Sequence, residues 1–459
     1  MYQIDFNHPI HIHFIGIGGI SMSGLASVLL GRGFMVSGSD AKESLLTRRL
    51  QEQGAVIHYG QSAANITRGI DCVVYTAAVH ADNPEYAQAV KMEIPMLTRA
   101  ELLGELMRNY QRPVAVAGTH GKTTTTSMLS HITLASDLDP TISVGGMLHA
   151  IGGNIRVGAD DVFVAEACEY TNSFLSLFPK IGIILNIDAD HLDFFKDLDD
   201  IRKSFRRFAS LIPADGTLII NGTIENLSEI TDGLSCKVIT YGTEDSDYHA
   251  ENIVYDEHGF AGFDAVKKDG SREHYQLSVP GDHNVSNALS VIACADILGI
   301  AAVDTRRGLL GFEGTERRFE HKGEFGDGVT VIDDYAHHPT EIRATLNAAQ
   351  TYPHNTLWVA FQSHTYSRTK ALMDEFASAL TLADHVVLAD IFPARETDNL
   401  GISSQTLQEK IQALGTPVEY FPSFAEIEDY LIHNCKKGDV LITMGAGDIV
   451  TVGEDLVSR

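Results

Sequence analysis

Apolar residues fall into short continuous runs along this chain. Each run ends in a glycine-rich or acidic turn, and many turns lead into stretches with apolar residues three and four apart. Runs of that kind read as strands buried on both faces, and the spaced stretches as the helices joining them, so the sheets are parallel. The first block gives strands at 11–15, 34–37 and 71–75. Its helices are at 22–30, 45–53 (closed by Gly54) and 99–108. The second gives a strand at 114–117, a helix at 122–135, strands at 162–165 and 181–185, and a helix at 284–299. Between 217 and 279 the pattern changes to short alternating runs. The turn signals Glu257-His-Gly259 and Lys268-Asp-Gly270 separate them, which predicts antiparallel hairpins. The third block gives strands at 329–332, 357–361, 386–388 and 440–443, with helices at 340–349 and 369–382.

Composition narrows the class. A chain of 459 residues predicts about three domains at roughly 150 residues each, placed here at 1–110, 111–313 and 314–459. Lys plus Arg is 34 and Asp plus Glu is 61, a formal charge of −27. Such a surface repels nucleic acid and anionic membrane, yet leaves room for an anionic small molecule held by a local cluster of donors. The five cysteines, Cys72, Cys168, Cys236, Cys294 and Cys435, form no C-x-x-C pair, which fits a reducing cytoplasm. No signal-peptide pattern opens the chain, and no apolar run is long enough for a membrane span.

The candidate chemistry lies at the ends of the apolar runs. Ala117-Gly-Thr-His-Gly-Lys-Thr-Thr-Thr-Thr126 is a phosphate loop with a short lead: Gly121-Lys122-Thr123 is regular, but Gly118 stands only three residues before Gly121. The strand before it and the helix after it are the context such a loop needs. Backbone N–H groups, a lysine and a hydroxyl then face an anion and its cation. Gly16-Ile-Gly-Gly-Ile-Ser21 is a dinucleotide-type turn with serine at the third glycine position, and Asp40 follows at the ribose-binding distance. NAD and a UDP-sugar look alike at this level. Glu166 and the run Asp188-Ala-Asp-His-Leu-Asp193 are candidate Mg²⁺ neighbours, since Mg²⁺ takes few protein ligands. Asp333-Asp-Tyr-Ala-His-His-Pro339, Phe361-Gln-Ser-His-Thr-Tyr-Ser-Arg368 and Met444-Gly-Ala-Gly-Asp448 all follow strands of the third block. Open α/β sheets bind ligands at those ends.

Together these motifs resemble the Mur ligases over the whole chain. The resemblance rests on Gly16-Ile-Gly-Gly19, Asp82-Asn-Pro-Glu85, Arg99-Ala-Glu101, the phosphate loop, His283-Asn284 with Asn287, Arg317-Arg-Phe-Glu320 and the three loops of the last block. The phosphate loop alone points to a wider superfamily that includes folylpolyglutamate synthetase. The N-terminal glycine loop and the loops after 333 and 361 point to the alanine-adding type. The implied fold is α/β in three domains: a Rossmann-like N-terminal domain, a central P-loop ATPase-type domain with added antiparallel strands, and a Rossmann-like C-terminal domain that closes over ATP and the amino acid.

The resemblance implies that Gly16, Gly18, Gly19, Asp40, Asn83 and Arg99 hold a UDP-sugar. Gly118, Thr119, His120, Gly121, Lys122, Thr123 and Thr124 would cradle the ATP phosphates, with Lys122 on the transferred group. His283, Asn284 and Asn287 would contact adenine, and Arg317 and Asp334 would reach the nucleotide. Thr123, Glu166 and His191 would hold Mg²⁺. Tyr335, His337, His364 and Arg368 would close over the sugar acid and amino acid. The expected reaction joins L-alanine to the carboxylate of UDP-N-acetylmuramate through an acyl phosphate, with His337 or His364 as base for the amine, in a cytoplasmic monomer or homodimer. Ser21, Cys168, Tyr170 and Ser363 depart from the family's usual residues, and no carbamylated lysine is evident after His191. A recycling ligase that attaches a peptide to the same sugar, a nicotinamide-dependent oxidoreductase and a non-catalytic nucleotide switch are the alternatives.

Overall fold

A computed structural model describes residues 2–76, 78–192 and 194–459. It resolves into two compact units. The first comprises Met1–Ile187, Asp199–Tyr241 and Ser290–Gly308. It opens with β1 (His11–Ile15), α1 (Ile20–Gly31), β2 (Met35–Asp40), α2 (Leu45–Glu52), β3 (Val56–Tyr59), β4 (Cys72–Tyr75), α3 (Pro84–Lys91), β5 (Met96–Thr98) and α4 (Arg99–Met107). All five strands pair in parallel, in the order β3-β2-β1-β4-β5. The strand order reverses between β1 and β4, and open α/β sheets bind ligands beyond the carboxyl ends of the strands at such a point. The Gly16 turn leaves β1 at that end. Ile12, Phe14 and Ile15 are fully buried, as an apolar run predicts, but so is His13.

The same unit continues with β6 (Arg112–Ala117), α5 (Lys122–Ala135), β7 (Thr141–Leu148), β8 (Gly153–Arg156), β9 (Val162–Ala167), β10 (Ile181–Ile184), α6 (Leu198–Ala209), β11 (Thr217–Asn221), α7 (Ser228–Thr231) and β12 (Lys237–Tyr241). These strands lie in the order β12-β11-β10-β6-β9-β7-β8, parallel among β12 to β7 and antiparallel only at β7–β8. Hairpins were expected from 217 onward; instead β11 and β12 are parallel strands joined across α7. Leu218, Ile219 and Ile220 are all fully buried, so the stretch is a two-sided core strand and not an alternating one.

The second unit comprises Asp188–Leu198, Gly242–Leu289 and Leu309–Arg459. Here the antiparallel hairpins do occur: β13 (Tyr248–Tyr255), β14 (Phe260–Lys267) and β15 (Arg272–Pro280). Their turns use the two predicted signals, with Gly259 at φ 74° and Gly270 at φ 84°. Next come α8 (Asp282–Leu298) and α9 (Ala302–Leu310). The chain then forms β16 (Glu320–Phe325), β17 (Val329–Asp334), α10 (Pro339–Thr351), β18 (Leu357–Phe361), α11 (Tyr366–Ala371), α12 (Met373–Leu380), β19 (His385–Leu388), α13 (Ser404–Ala413), β20 (Val418–Tyr420), α14 (Phe424–Asn434), β21 (Val440–Met444) and α15 (Val450–Val457). The sheet order is β16-β17-β21-β18-β19-β20, parallel except for β16. Side chains alternate across it: Ile332, Val359 and Phe361 pack into one apolar layer, Val331, Trp358 and Ala360 into the other. The helix expected at 369–382 is two helices. Leu372, at φ −117° and ψ 26°, breaks it, and no Pro or Gly marks the break.

Candidate functional site

β6 ends fully buried at Ala117, and the chain turns through Gly118 to Gly121 into α5. Gly121 has φ 81°, a conformation that a side chain resists, and it stands at the helix start with no side-chain cap. The first N–H groups of α5 therefore face the loop as anion donors. Asn186 braces the loop. Its Oδ1 accepts from His120 N at 2.8 Å, its Nδ2 donates to His120 O at 3.1 Å, and its carbonyl accepts from Thr119 N at 3.2 Å. Lys122 Nζ donates to Gly118 O (2.6 Å) and Thr119 O (2.9 Å), and lies 2.8 Å from Glu169 Oε2. Burial pushes this ammonium toward neutrality. Glu169, Cys168 and Glu166 outweigh that, so its pKa is raised and it stays charged.

Thr123 Oγ1 donates to Glu166 Oε2 at 3.0 Å, and Gly145 N donates to the same oxygen at 2.8 Å. A Cβ at Gly145 would lie 2.6 Å from that oxygen, so the glycine permits the approach. Glu166 lies inside β9, not on the turn after it. Thr124 sits half-buried in the first turn of α5.

In the Gly16 turn, Gly16 N and Ile17 N both donate to Ser39 O at 2.9 Å, and Gly18 N donates to Asp40 Oδ2 at 2.8 Å. Asp40 Oδ1 accepts from Ala41 N. Both oxygens of the expected ribose ligand thus already accept backbone N–H groups that shape the turn. Gly19 caps α1. Asn83 caps α3, accepting from Glu85 N and Tyr86 N, while its Nδ2 donates to Gln61 Oε1 at 2.6 Å. Arg99 opens α4, whose start is held by a Thr98–Glu101 capping box.

The second unit gathers the three late loops. Asp334 pairs with Met444 in register, and Phe361 pairs with Met444 on the other side. The loops after β17, β21 and β18 therefore leave neighbouring strand ends. Arg317 ties two of them: its Nε donates to Asp333 Oδ2 (3.0 Å), Nη1 to Gly447 O (3.0 Å) and Nη2 to Gly445 O (2.6 Å). Its guanidinium sits 4.8 Å from the Tyr335 ring centroid. Gln362 Nε2 joins the third loop through Asp448 Oδ1 at 2.9 Å. Asp334 accepts from Phe319 N and Ala336 N. Burial raises its pKa to about 6, against the opposing pull of Arg318 and those two amides.

Arg368 donates through Nε (3.1 Å) and Nη2 (3.0 Å) to Asp190 Oδ1, which also accepts from His191 N. Asp190 was expected beside Mg²⁺; instead its carboxylate is buried and engaged by a guanidinium. Burial pushes its pKa up, but Arg368, then His191, His337 and His338, hold it far below the usual range. Asp193 lies outside the described residues. His337 Nδ1 contacts Tyr335 O at 3.0 Å, and its ring lies 6.1 Å from that of His364. Burial lowers His337 to about 4, with Glu341 opposing and Arg368 assisting. Burial and Arg368 lower His364 too. Rings so depressed are weak acceptors for an ammonium proton, which counts against either as a strong base.

His283 is exposed at the start of α8, while Asn284 and Asn287 are each 6% exposed. Asn284 Nδ2 holds Pro280 O, and Asn287 Nδ2 donates to Asn284 Oδ1. Among the described residues, no group of three His, Cys, Asp or Glu side chains converges on a metal position. Sequence reasoning missed Glu169, Asn186 and the Asp190–Arg368 pair. Only Glu169 left a local trace, as the second acid of Glu166-Ala-Cys-Glu169.

A parallel sheet that delivers a glycine loop, lysine and hydroxyl to a helix N-terminus defines the class: α/β proteins built to handle phosphorylated ligands. Comparison with known proteins is more specific. Three family models match in succession: "Mur ligase family, catalytic domain" at 11–111, "Mur ligase middle domain" at 116–295 and "Mur ligase, glutamate ligase domain" at 317–447. The chain belongs to the Mur ligase family. Relatives named UDP-N-acetylmuramate–L-alanine ligase include those of Agathobacter rectalis (58% identical) and Lachnospira eligens (59%), each aligned over 100% of both chains. The crystal structure of UDP-N-acetylmuramate-alanine ligase from Thermotoga maritima superposes with TM-score 0.79 at 31% identity, over 98% of this chain and 99% of that one. A murein peptide ligase from Psychrobacter arcticus superposes with TM-score 0.71 at 26% identity, over 98% of each. The fold is thus α/β in three sheet-containing domains, Rossmann-like at both ends.

Proposed function

We infer that this protein joins L-alanine to the lactyl carboxylate of UDP-N-acetylmuramate, converting ATP to ADP and phosphate, in peptidoglycan precursor synthesis. The observation that carries this is end-to-end identity of 58–59% with relatives bearing that name. The peptide-attaching alternative has weaker support, at 26% identity. Mur ligases are ATP-dependent. A carboxylate is a poor acylating agent because its leaving group would be oxide. Phosphoryl transfer from ATP gives an acyl phosphate, which the alanine amine attacks with loss of phosphate.

Residue roles are proposed as follows. Gly16, Gly18, Gly19, Asp40, Asn83 and Arg99 hold the UDP-sugar. Gly118 through Thr124 wrap the ATP phosphates, and Lys122, kept charged, neutralises the transferred group. His283, Asn284 and Asn287 serve adenine. Arg317 and Asp334 reach the nucleotide by shaping the loops that contact it. Tyr335, His337, His364 and Arg368 bind the sugar acid and amino acid. Thr123 and Glu166 are hard oxygen donors that suit Mg²⁺, with His191 as third candidate; a bound Mg²⁺ would offset phosphate charge. Domains at 1–110, 111–313 and 314–459 and a cytoplasmic location complete the proposal. No helix among the described residues is long and apolar enough to cross a membrane. The test is ADP release with UDP-N-acetylmuramate, ATP and Mg²⁺, comparing L-alanine, glycine, L-serine and a tripeptide as acceptor. Release with the tripeptide but not alanine would overturn the assignment.

A further inference from the structure

Asp82-Asn-Pro-Glu85 ends in a carboxylate to which the roles above assign nothing. Glu85 is 0% exposed, as is His13 in β1. Its Oε2 accepts from Ser39 Oγ at 2.5 Å, and His13 Nε2 lies 3.6 Å from the same atom. Its Oε1 accepts from Asn65 Nδ2 at 2.6 Å and from Ser62 N at 3.3 Å. One side chain thus joins β1, β2, the turn at 60–65 and the first turn of α3.

Each of those segments carries a piece of the sugar-nucleotide site. Ser39, held through its hydroxyl by Glu85, offers its carbonyl to Gly16 N and Ile17 N, and the next residue, Asp40, holds Gly18 N. The 60–65 turn brings Gln61 to Asn83, and Asn83 caps the turn that contains Glu85. A buried carboxylate is costly unless its lone pairs are filled. Burial pushes Glu85 up, but the neighbouring His13 ring and the hydrogen bonds from Ser39 and Asn65 prevail and hold it below its ordinary value. An apolar residue would fill the same space without that cost, and it would join none of these segments.

We propose that Glu85 is a positioning residue for UDP-N-acetylmuramate: by joining Ser39, His13 and the 60–65 turn to the start of α3, it sets the distance between the Gly16 turn and Asn83. This rests on the reading that the Gly16 turn, Asp40 and Asn83 hold the UDP-sugar. Displacing a binding group by about 1 Å costs heavily, and the loss falls on the substrate that this domain binds. A residue that only stabilises the core would instead lower stability and impair all substrates alike.

The test measures KM and kcat for each substrate in Glu85→Ala, Glu85→Gln, Ser39→Ala and, as reference, Asp40→Ala. The expected result is a KM for UDP-N-acetylmuramate raised about tenfold or more in Glu85→Ala. The rise is smaller in Glu85→Gln, which keeps one acceptor, and in Ser39→Ala, with KM for ATP and L-alanine unchanged in all. Uniform loss for all three substrates, or an unchanged KM for the UDP-sugar while Asp40→Ala raises it, overturns the role of Glu85 alone. Unchanged KM in Asp40→Ala as well overturns the assignment of the turn and the proposal with it. If Glu85→Ala does not fold, Glu85→Gln and Ser39→Ala decide the question.

Discussion

Lys122 illustrates how a single residue is both legible and hidden. Its place after Gly121 announces a phosphate lysine. Its three partners, Gly118 O, Thr119 O and Glu169, are visible only in the folded loop. Lys122→Ala removes the charge that meets the transferred group, and ADP release should fall on the order of 10²–10³-fold; single-turnover assay checks this. Arg368 offers a second test. Asp190 is buried beneath it, so Arg368→Ala leaves a carboxylate without its guanidinium, at about 3–5 kcal/mol. Adding Asp190→Ala to Arg368→Ala should recover part of that loss. Denaturant midpoints of the two singles and the double measure the coupling; simple additivity would show that the pair contributes no interaction of its own. No sequence rule joins residues 190 and 368, because the pairing depends on which loops the fold brings together.

Elements were legible where local chemistry marks their ends. α5 spans the predicted residues, and its start is marked because Gly121 can take the left-handed turn before it. Gly121→Ala should cost roughly 1–2 kcal/mol in backbone strain and raise KM for ATP, since the loop must shift to relieve it; steady-state kinetics with a melting curve separates the two effects. The hairpin turns at Gly259 and Gly270 were legible for the same reason. β3, β5, β7 and β8 were not, being short or half-exposed at or near sheet edges, where the hydrophobic pattern is thin. The 217–241 region was misread because a core strand has no alternation to report. Leu372 carries no local marker either; its break leaves Arg368 on a short helix of its own, capped by Thr365.

The molecule as a whole couples the candidate site to pH. His337 is depressed to about 4, so on folding it resists protonation. Its contribution is present above the ordinary histidine value and is lost as pH falls from about 6.5 toward 4. Asp334, raised to about 6, works the other way: its contribution is present below the ordinary carboxyl value and lost as pH rises through about 6. His337→Gln should therefore flatten the fall in unfolding midpoint between pH 6.5 and 4, leaving the opposite slope from Asp334; a midpoint as steep as that of the parent chain would show His337 titrating normally. The sequence by itself determined the α/β alternation, the phosphate loop and the family motifs, because periodicity and turn chemistry are local properties of a chain. Only the tertiary structure decided that Asp190 belongs to Arg368, that Asp40 shapes a turn, that burial makes His337 and His364 resist protonation, and that Glu85 joins four segments. Burial and long-range hydrogen bonding arise when distant residues are packed together, and no window along the chain contains them.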